Sequence, residues 1–502
     1  MWNARLATLI LPLGLVIAGC GGGGGGSWSG SSLPDSDASA TAPAQHNNGT
    51  TFPGGSAVAD EPVAGGSADV AYRKPEACSG FYADGFQLIG GKDATRPQSG
   101  LPKPAKGDAY TDPAYHTCVV RVTDHDAEGL AGFARNDYSR RQPFNADDSK
   151  LIVYSQGGKW NLYDVETLRH IREIDIQGAR TELQWHPADP DLLFFMDDNG
   201  GMTISTYNVV TDEKKVVADF RNLEKIAGRP GATSLTDVWP NAARASTKAE
   251  GSPSADARYW AFMVETATAQ PLGMITYDMQ TDTVTGVFDY ERDGNGVEAP
   301  DHISMSPSGD FVVPSWSGGA ACPSPEELGT VNKPCGLMAY SRDFSTAVGL
   351  MVRSPHSDIG IDANGRDVIV AGNYVTGWVE MWDLATGNKT RLWQIYEDGN
   401  STAMHVSAKN FNKPGWVLIS TYMEKKPGWY ASKLMAVELK AAPRILNIAH
   451  TYNTVETYFS ETHAVVNRDF TKVLFNSNWN TANMLNVDAY MVSLPDGAVP
   501  RQ

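Results

Sequence analysis

One unit recurs seven times along the chain: a polar turn, an apolar strand, a gap, and a second strand carrying an aromatic beside a small polar residue. Its instances are "FNADDSKLIVYS…WNLYDV", "WHPADPDLLFFM…ISTYNV", "SPSADARYWAFMV…MITYDM", "MSPSGDFVVPSW…LMAYSR", "GIDANGRDVIVAG…VEMWDL", "NFNKPGWVLIST…KLMAVEL" and "VNRDFTKVLFNSNW…VDAYMVSL". Each turn supplies Asp, Asn, Gly or Pro where a hairpin needs a positive or preset φ, and the strands alternate or run apolar as packed sheets require. A spacing of roughly 40 to 65 residues is that of a four-stranded sheet repeated around a ring. The expected fold is therefore all-β, a seven-bladed β-propeller. Tyr163, Tyr207, Tyr277, Tyr340, Trp382 and Tyr490 recur at one place in the unit and are expected to pack between blades, with Val437 the one departure. The segment "CVVRVTD", Cys118 to Asp124, precedes the first unit without a partner hairpin. It is the candidate to close the ring against the seventh blade, which would remove exposed sheet edges.

Ahead of the repeats, "MWNARLATLILPLGLVIAGC" has one basic residue, Arg5, an apolar run from Leu6 to Ile17, and small residues before Cys20. That run is short for a bilayer span and has the layout of a secretion signal. Its ending, Ile17-Ala18-Gly19-Cys20, resembles the bacterial lipobox, which implies cleavage before Cys20 and lipidation of its thiol; Gly21 then points to the outer membrane or cell surface. The Gly-, Ser-, Ala- and Pro-rich stretch to Asp69 buries too little apolar surface to fold and reads as a flexible tether. The expected organisation is a lipoprotein signal over 1–19, a tether over 20–69, an arm over 70–117 and the propeller over 118–502. Cys78, Cys118, Cys322 and Cys335 remain, and an even set in an exported chain is most simply two disulfides. The expected pairs are Cys322–Cys335, closing "CPSPEELGTVNKPC", and Cys78–Cys118, pinning the arm to the first strand; zinc is the alternative, but no Cys-x-x-Cys occurs. A formal charge of -17 points away from nucleic acid, where the main attraction is to phosphate. Membrane contact is expected through the lipid anchor only, and the chain is expected to be a monomer.

A propeller brings the starts of its innermost strands to the mouth of a central channel. Four histidines stand at that place: His302 in "PDHISMSPSGD", His356 in "PHSDIGIDANG", His405 in "AMHVSAKNFNKPG" and His463 in "ETHAVVNRD". Asp301, Asp358 and Glu461 lie beside them, able to orient the imidazoles or share a metal. The first unit offers Tyr138, Arg140, Arg141 and Gln142 there, the second Glu182, and the third Asp237 and Trp239. Taken singly, each reads as a hydrogen-bonded strand residue; together, convergent polar groups at a concave mouth make a binding or catalytic site. His186 falls in a turn and reads as structural, while His116, His125, His170 and His450 keep no register and are expected at the surface or in loops. No phosphate loop, nucleophile elbow or His-Glu-x-x-His stretch is present, so serine-based hydrolysis has no support.

From Asp112 to Pro495 the chain resembles the exported bacterial propellers of the oligogalacturonate lyase and ulvan lyase kind, and more distantly TolB-type propellers. The resemblance is carried by "DPAYHTCVVRVTD", "YSRRQPFNADDSKL", the His-led inner strands and "ETHAVVNRDFTKVLFNSNW". It implies cleavage of a uronate-containing polysaccharide by β-elimination, which needs a neutraliser of the uronate carboxylate, a base for the C5 proton and an acid for the departing oxygen. Under it, Arg140 or Arg141 neutralises, or a divalent metal (manganese, calcium or zinc) held by His356, His405 and His463 does so. His302 or Tyr138 is the base and the other the acid; Gln142, Glu182, Asp237, Trp239 and Glu461 are expected to contact substrate. The His-x-His pair of the oligogalacturonate branch is absent, since Val406 and Ser407 follow His405. Two functions are expected to compete. One is a surface-tethered lyase acting on an acidic polysaccharide or oligosaccharide, favoured by the arginine pair and the histidine register. The other is a non-catalytic propeller that binds a glycan or an envelope protein, favoured by the acidic charge.

Overall fold

A computed structural model describes residues 77–502 apart from 317–320, 325, 456, 482 and 484. The signal, the tether, Cys20 and the start of the arm lie outside the described residues. What is described is all-β, made of antiparallel up-and-down runs, with helix only at Leu235–Val238 and in short single turns. No helix among these residues is long and apolar enough to cross a membrane.

Each sequence repeat becomes one run. In the fifth, Ser357–Ile361, Asp367–Asn373, Trp378–Asp383 and Lys389–Gln394 pair in order. Its first turn is closed by the Asp362 carboxylate, which accepts from the Asn364 and Arg366 amides at 2.8 and 2.9 Å. Gly365 completes it at φ +78, a conformation that only glycine adopts freely. The recurring aromatics are buried in every run, within apolar clusters that join consecutive runs; Tyr207, for example, packs with Ile152, Trp160 and Leu193. Burying such a ring contributes on the order of 2 kcal/mol, which is the packing role expected of these positions. Val437 fills the same place as an aliphatic.

Hydrogen bonding groups the runs into six sheets, and one has nine strands because it joins the two ends of the chain. Cys118–Arg121 pairs antiparallel with Asp488–Ser493, and Asp488 pairs in parallel with Ala134 of the first run. Asp488 pins this junction by accepting from His125 Nδ1 at 2.9 Å, Lys103 Nζ at 2.8 Å and Arg121 Nη2 at 2.7 Å. Burial would raise its pKa, but these partners hold it well below the carboxylate range. The arm adds edge strands: Ala109–Thr111 pairs with Cys118–Arg121, and Ile89–Gly90 with Ile445–His450. Both expected disulfides are formed, Cys78–Cys118 and Cys322–Cys335.

Of the histidines expected at the surface or in loops, His125 does lie in a loop, and His450 ends the strand Ile445–His450. His125 and His450 are buried rather than at the surface, His125 against Asp488 and His450 with Nε2 3.0 Å from the Thr95 carbonyl and its ring on Tyr115. The arm, outside the repeats, covers His450, and the seventh run covers His125. His116 is exposed and His170 half-buried. His186 Nδ1 caps its turn by accepting from the Asp189 amide at 2.8 Å.

Candidate active site

Residues just ahead of the first strands of different runs meet in space. Glu461 and His463 stand two apart just ahead of the strand Val465–Val466. His405, on Ala403–Ser407, joins them, so that three potential ligand atoms lie within 4.8 Å of one another. Glu461 Oε2 is 3.1 Å from His405 Nε2 and 3.3 Å from His463 Nε2, and it accepts from Tyr422 Oη at 3.0 Å. His463 holds φ +39, a strained backbone for a residue with a side chain and a frequent mark of functional positions. Its Nδ1 is 3.0 Å from the Asp137 carbonyl and 2.9 Å from Arg135 Nη1. Arg135 is itself buried among the rings of Phe133, Tyr154, Tyr458 and Phe459.

Burial pushes the pKa values of His405, His463 and His356 down to about 4, so the imidazoles are neutral near physiological pH. Burial would also raise Glu461, but the close approach of His405 and His463 outweighs that and holds it well below the carboxylate range. Neither ring nitrogen of His405 makes a well-formed hydrogen bond, although both are buried. Two neutral imidazoles and a carboxylate, with the His405 nitrogens unclaimed, form a donor set that fits a divalent ion such as manganese or zinc. His356 lies face to face with His405 at 4.5 Å, but its Nδ1 is turned to the Met404 carbonyl at 3.1 Å. Glu461 thus takes the third place expected of His356.

A second group faces the first. Arg140 Nη1 hydrogen-bonds His302 Nε2 and lies 3.1 Å from Glu250 Oε2, while its Nε donates to the Ser357 carbonyl at 2.7 Å. His302 Nδ1 is 3.3 Å from Asp301 Oδ2. Glu250 can approach because Gly251 follows it: a Cβ there would stand 1.9 Å from the Ile303 carbonyl oxygen. Glu250, Asp301 and His302 also bring three ligand atoms together, but the Arg140 guanidinium sits among them and would repel a cation. Tyr138 places its ring 5.7 Å from His405 and 5.1 Å from His463, and burial raises its phenol well above the ordinary range. It therefore stays protonated.

Arg141 is the least satisfied group of the site. It is 4% exposed, and none of its three side-chain nitrogens has a hydrogen-bond partner. Its nearest carboxylates, Asp137 and Glu182, stand 3.5 and 3.7 Å away. Glu182 is held by the amides of Thr247 and Ala249 at 3.0 and 2.9 Å.

Tyr138, Arg140, Arg141, Glu182, His302, His405, Glu461 and His463 thus gather as the register implied, and others do not. Asp358 serves no imidazole; it accepts from Lys409 Nζ at 2.8 Å and the Ala408 amide at 2.7 Å. Gln142 donates to the Val466 carbonyl at 3.0 Å and lines a hollow at the opposite, turn end with Gln184, Lys409 and Arg468. Asp237 and Trp239 are outside the site. Asp237 caps the helix Leu235–Val238 by accepting from the Thr233 and Ser234 amides, each at 2.9 Å, and Trp239 is core, donating to Asp289 at 2.9 Å. In the third run the segment from Thr247 to Glu250, which follows the strand Arg244–Ser246, reaches the site instead, Thr247 at Glu182 and Glu250 at Arg140. Glu250, Arg135, Tyr422 and Tyr458 belong to the site without having been singled out from sequence. Aligning "SPSAD" with "SPSGD" brings Lys248 to Glu250 to the place of His302 and offers a signal for Glu250.

No protein-family model matches the chain, and no curated protein matches its sequence. Its fold is similar to solved structures of oligogalacturonate lyase. One, in complex with manganese, is 14% identical, with a TM-score of 0.51 over 78% of this chain and 96% of that one. Another, from Vibrio parahaemolyticus, is 11% identical, with a TM-score of 0.51 over 78% of this chain and 97% of that one. At such identity the likeness is one of fold, and the chain has the propeller-like architecture of those lyases.

Proposed function

We propose that this chain is a polysaccharide lyase: a seven-bladed propeller, closed by Cys118–Arg121, that cleaves an acidic, uronate-containing glycan by β-elimination. The observation that carries the reading is Arg141, a buried cation with unmet donors beside groups able to move protons. β-Elimination starts with a uronate carboxylate held by positive charge, which acidifies the neighbouring C5–H. Arg141 takes that part, while Arg140, already bonded to His302 and Ser357, positions His302. His302 Nε2 accepts the C5 proton once the Arg140 hydrogen bond yields. The C5–H electron pair becomes the C4=C5 double bond as the C4–O bond breaks, and Tyr138 gives its proton to the departing oxygen. His405, Glu461 and His463 would hold a divalent ion, and one of the similar lyase structures is in complex with manganese. Such an ion supplies Lewis-acid stabilisation of carboxylate charge. The lipobox-like Ile17 to Cys20 supports a tethered location at the outer membrane or cell surface.

Incubating the purified protein, with manganese supplied, on a panel of ulvan, pectate and glucuronan tests this. Ultraviolet absorbance from an unsaturated uronate product is expected with at least one of them. Tight binding without any product would turn the reading to a glycan-binding propeller.

A further inference from the structure

The loops around the site carry a pattern that the chemistry does not use. Of the ten strongly exposed large apolar side chains among the described residues, six fall between residues 374 and 459, among them Tyr374, Tyr396, Tyr458 and Phe459. The topology puts these on the face where the histidines stand. His356 precedes Ser357, which pairs with Ala371 of the returning strand, so the chain leaves that strand at Tyr374 beside it. Tyr396 follows a strand whose Gln394 pairs with Trp378 at the same end. Tyr458 and Phe459 form the turn just ahead of Glu461.

The rings are held in place. Tyr374 Oη donates to the Thr402 carbonyl at 3.0 Å, and Tyr396 Oη to the Tyr374 carbonyl at 2.9 Å, which ties both into one ledge. Tyr458 lies 4.7 Å from the His463 ring, and Phe459 stacks on Phe133 at 5.2 Å. All four nevertheless keep 39 to 41% of their surface exposed. In a chain of net charge -17, the exposed Lys425 and Lys426 stand in a loop of this same face. Exposed, ordered apolar rings beside a site mark something that covers them. A pyranose suits them: its C–H face lies on an aromatic plane, its hydroxyls stay in water at the ring edge, and an acidic sugar pairs with the lysines.

We infer that Tyr374 with Tyr396, and Tyr458 with Phe459, are stacking subsites for successive sugar rings of an acidic glycan, with Lys425 and Lys426 meeting its charges. The two pairs come from the fifth run and from the turn ahead of the seventh, and His405 belongs to the sixth run between them. The site therefore takes a chain of several sugars rather than a disaccharide. This rests on the lyase reading for the choice of glycan, not for the existence of the subsites.

The test compares the unaltered protein, the Tyr374→Ala/Tyr396→Ala double variant and Tyr374→Phe on size-fractionated fragments of whichever glycan is cleaved. The double variant is expected to raise KM for long fragments roughly 10-fold, in KM more than kcat and increasingly with fragment length, while Tyr374→Phe stays near the unaltered protein. An unchanged length dependence in a double variant that still cleaves would overturn the subsites and leave the lyase reading standing. If nothing in the panel is cleaved, calorimetric titration with pectate, glucuronan and ulvan fragments replaces kinetics. Binding lost in the double variant and kept in Tyr374→Phe would support the subsites although the lyase reading had failed. Binding unaffected by the double variant, or none by the unaltered protein, would overturn them.

Discussion

Arg141 brings five N–H donors into a buried position where Asp137 and Glu182 stand at 3.5 and 3.7 Å but no hydrogen bond forms. Leaving such donors unmet costs stability, but removing the cation would leave Asp137 and buried Glu182 without its counter-charge, and losing one partner of a buried ion pair costs about 3 to 5 kcal/mol. Arg141→Met is therefore predicted to melt below the unaltered protein and, while still folded, to lose roughly 100- to 1000-fold in kcat/KM on the cleaved glycan. A folded variant that cleaves normally would make Arg141 structural. Sequence alone showed Arg141 as a candidate through its place before the first turn, but not that its neighbours leave it unmet. That depends on Glu182 being taken by the Thr247 and Ala249 amides of another run. Arg135 was less legible still, because its surroundings, Tyr458 and Phe459, come from a turn more than three hundred residues away in sequence.

Among elements, the two disulfides differ in what they tie. Cys322–Cys335 spans 13 residues of one loop, and Cys78–Cys118 spans 40 and fastens the arm to the strand that joins the first and last runs. Loop-closure entropy assigns about 3 and 4 kcal/mol to these lengths. Scanning calorimetry of Cys78→Ala/Cys118→Ala is predicted to show a larger drop in Tm than Cys322→Ala/Cys335→Ala; the reverse order would mean that the arm is peripheral to stability. The repeat made most strands legible, since turn chemistry and apolar runs are local. It misplaced the start of the third run because Lys225–Ile226 and the helix Leu235–Val238 are inserted ahead of Arg244–Ser246. The edge strands of the arm were illegible for a similar reason: Ile89–Gly90 and Ala109–Thr111 follow no repeat and are defined only by their partners.

For the whole molecule, buried neutral histidines set the response to acid. Burial lowers His356, His405, His463 and His450 in the folded state. Each therefore contributes stability that is present above the unfolded imidazole pKa of about 6.5 and is lost as pH falls towards the folded value, because the unfolded chain takes up protons first. Asp488, held low, adds a loss at still lower pH. The Tm of metal-free protein is predicted to hold steady at neutral pH and to fall below about pH 6.5, and manganese, competing with protons at His405 and His463, is predicted to delay the fall. A Tm independent of pH across that range would mean that these rings are hydrated. The most direct test of the site as a working whole is the rate at which His463→Ala forms unsaturated product from a glycan the unaltered protein cleaves, with metal content measured on the same samples. A loss of about 100-fold or more, with bound manganese falling towards zero, is predicted; product formation at the unaltered rate would contradict it.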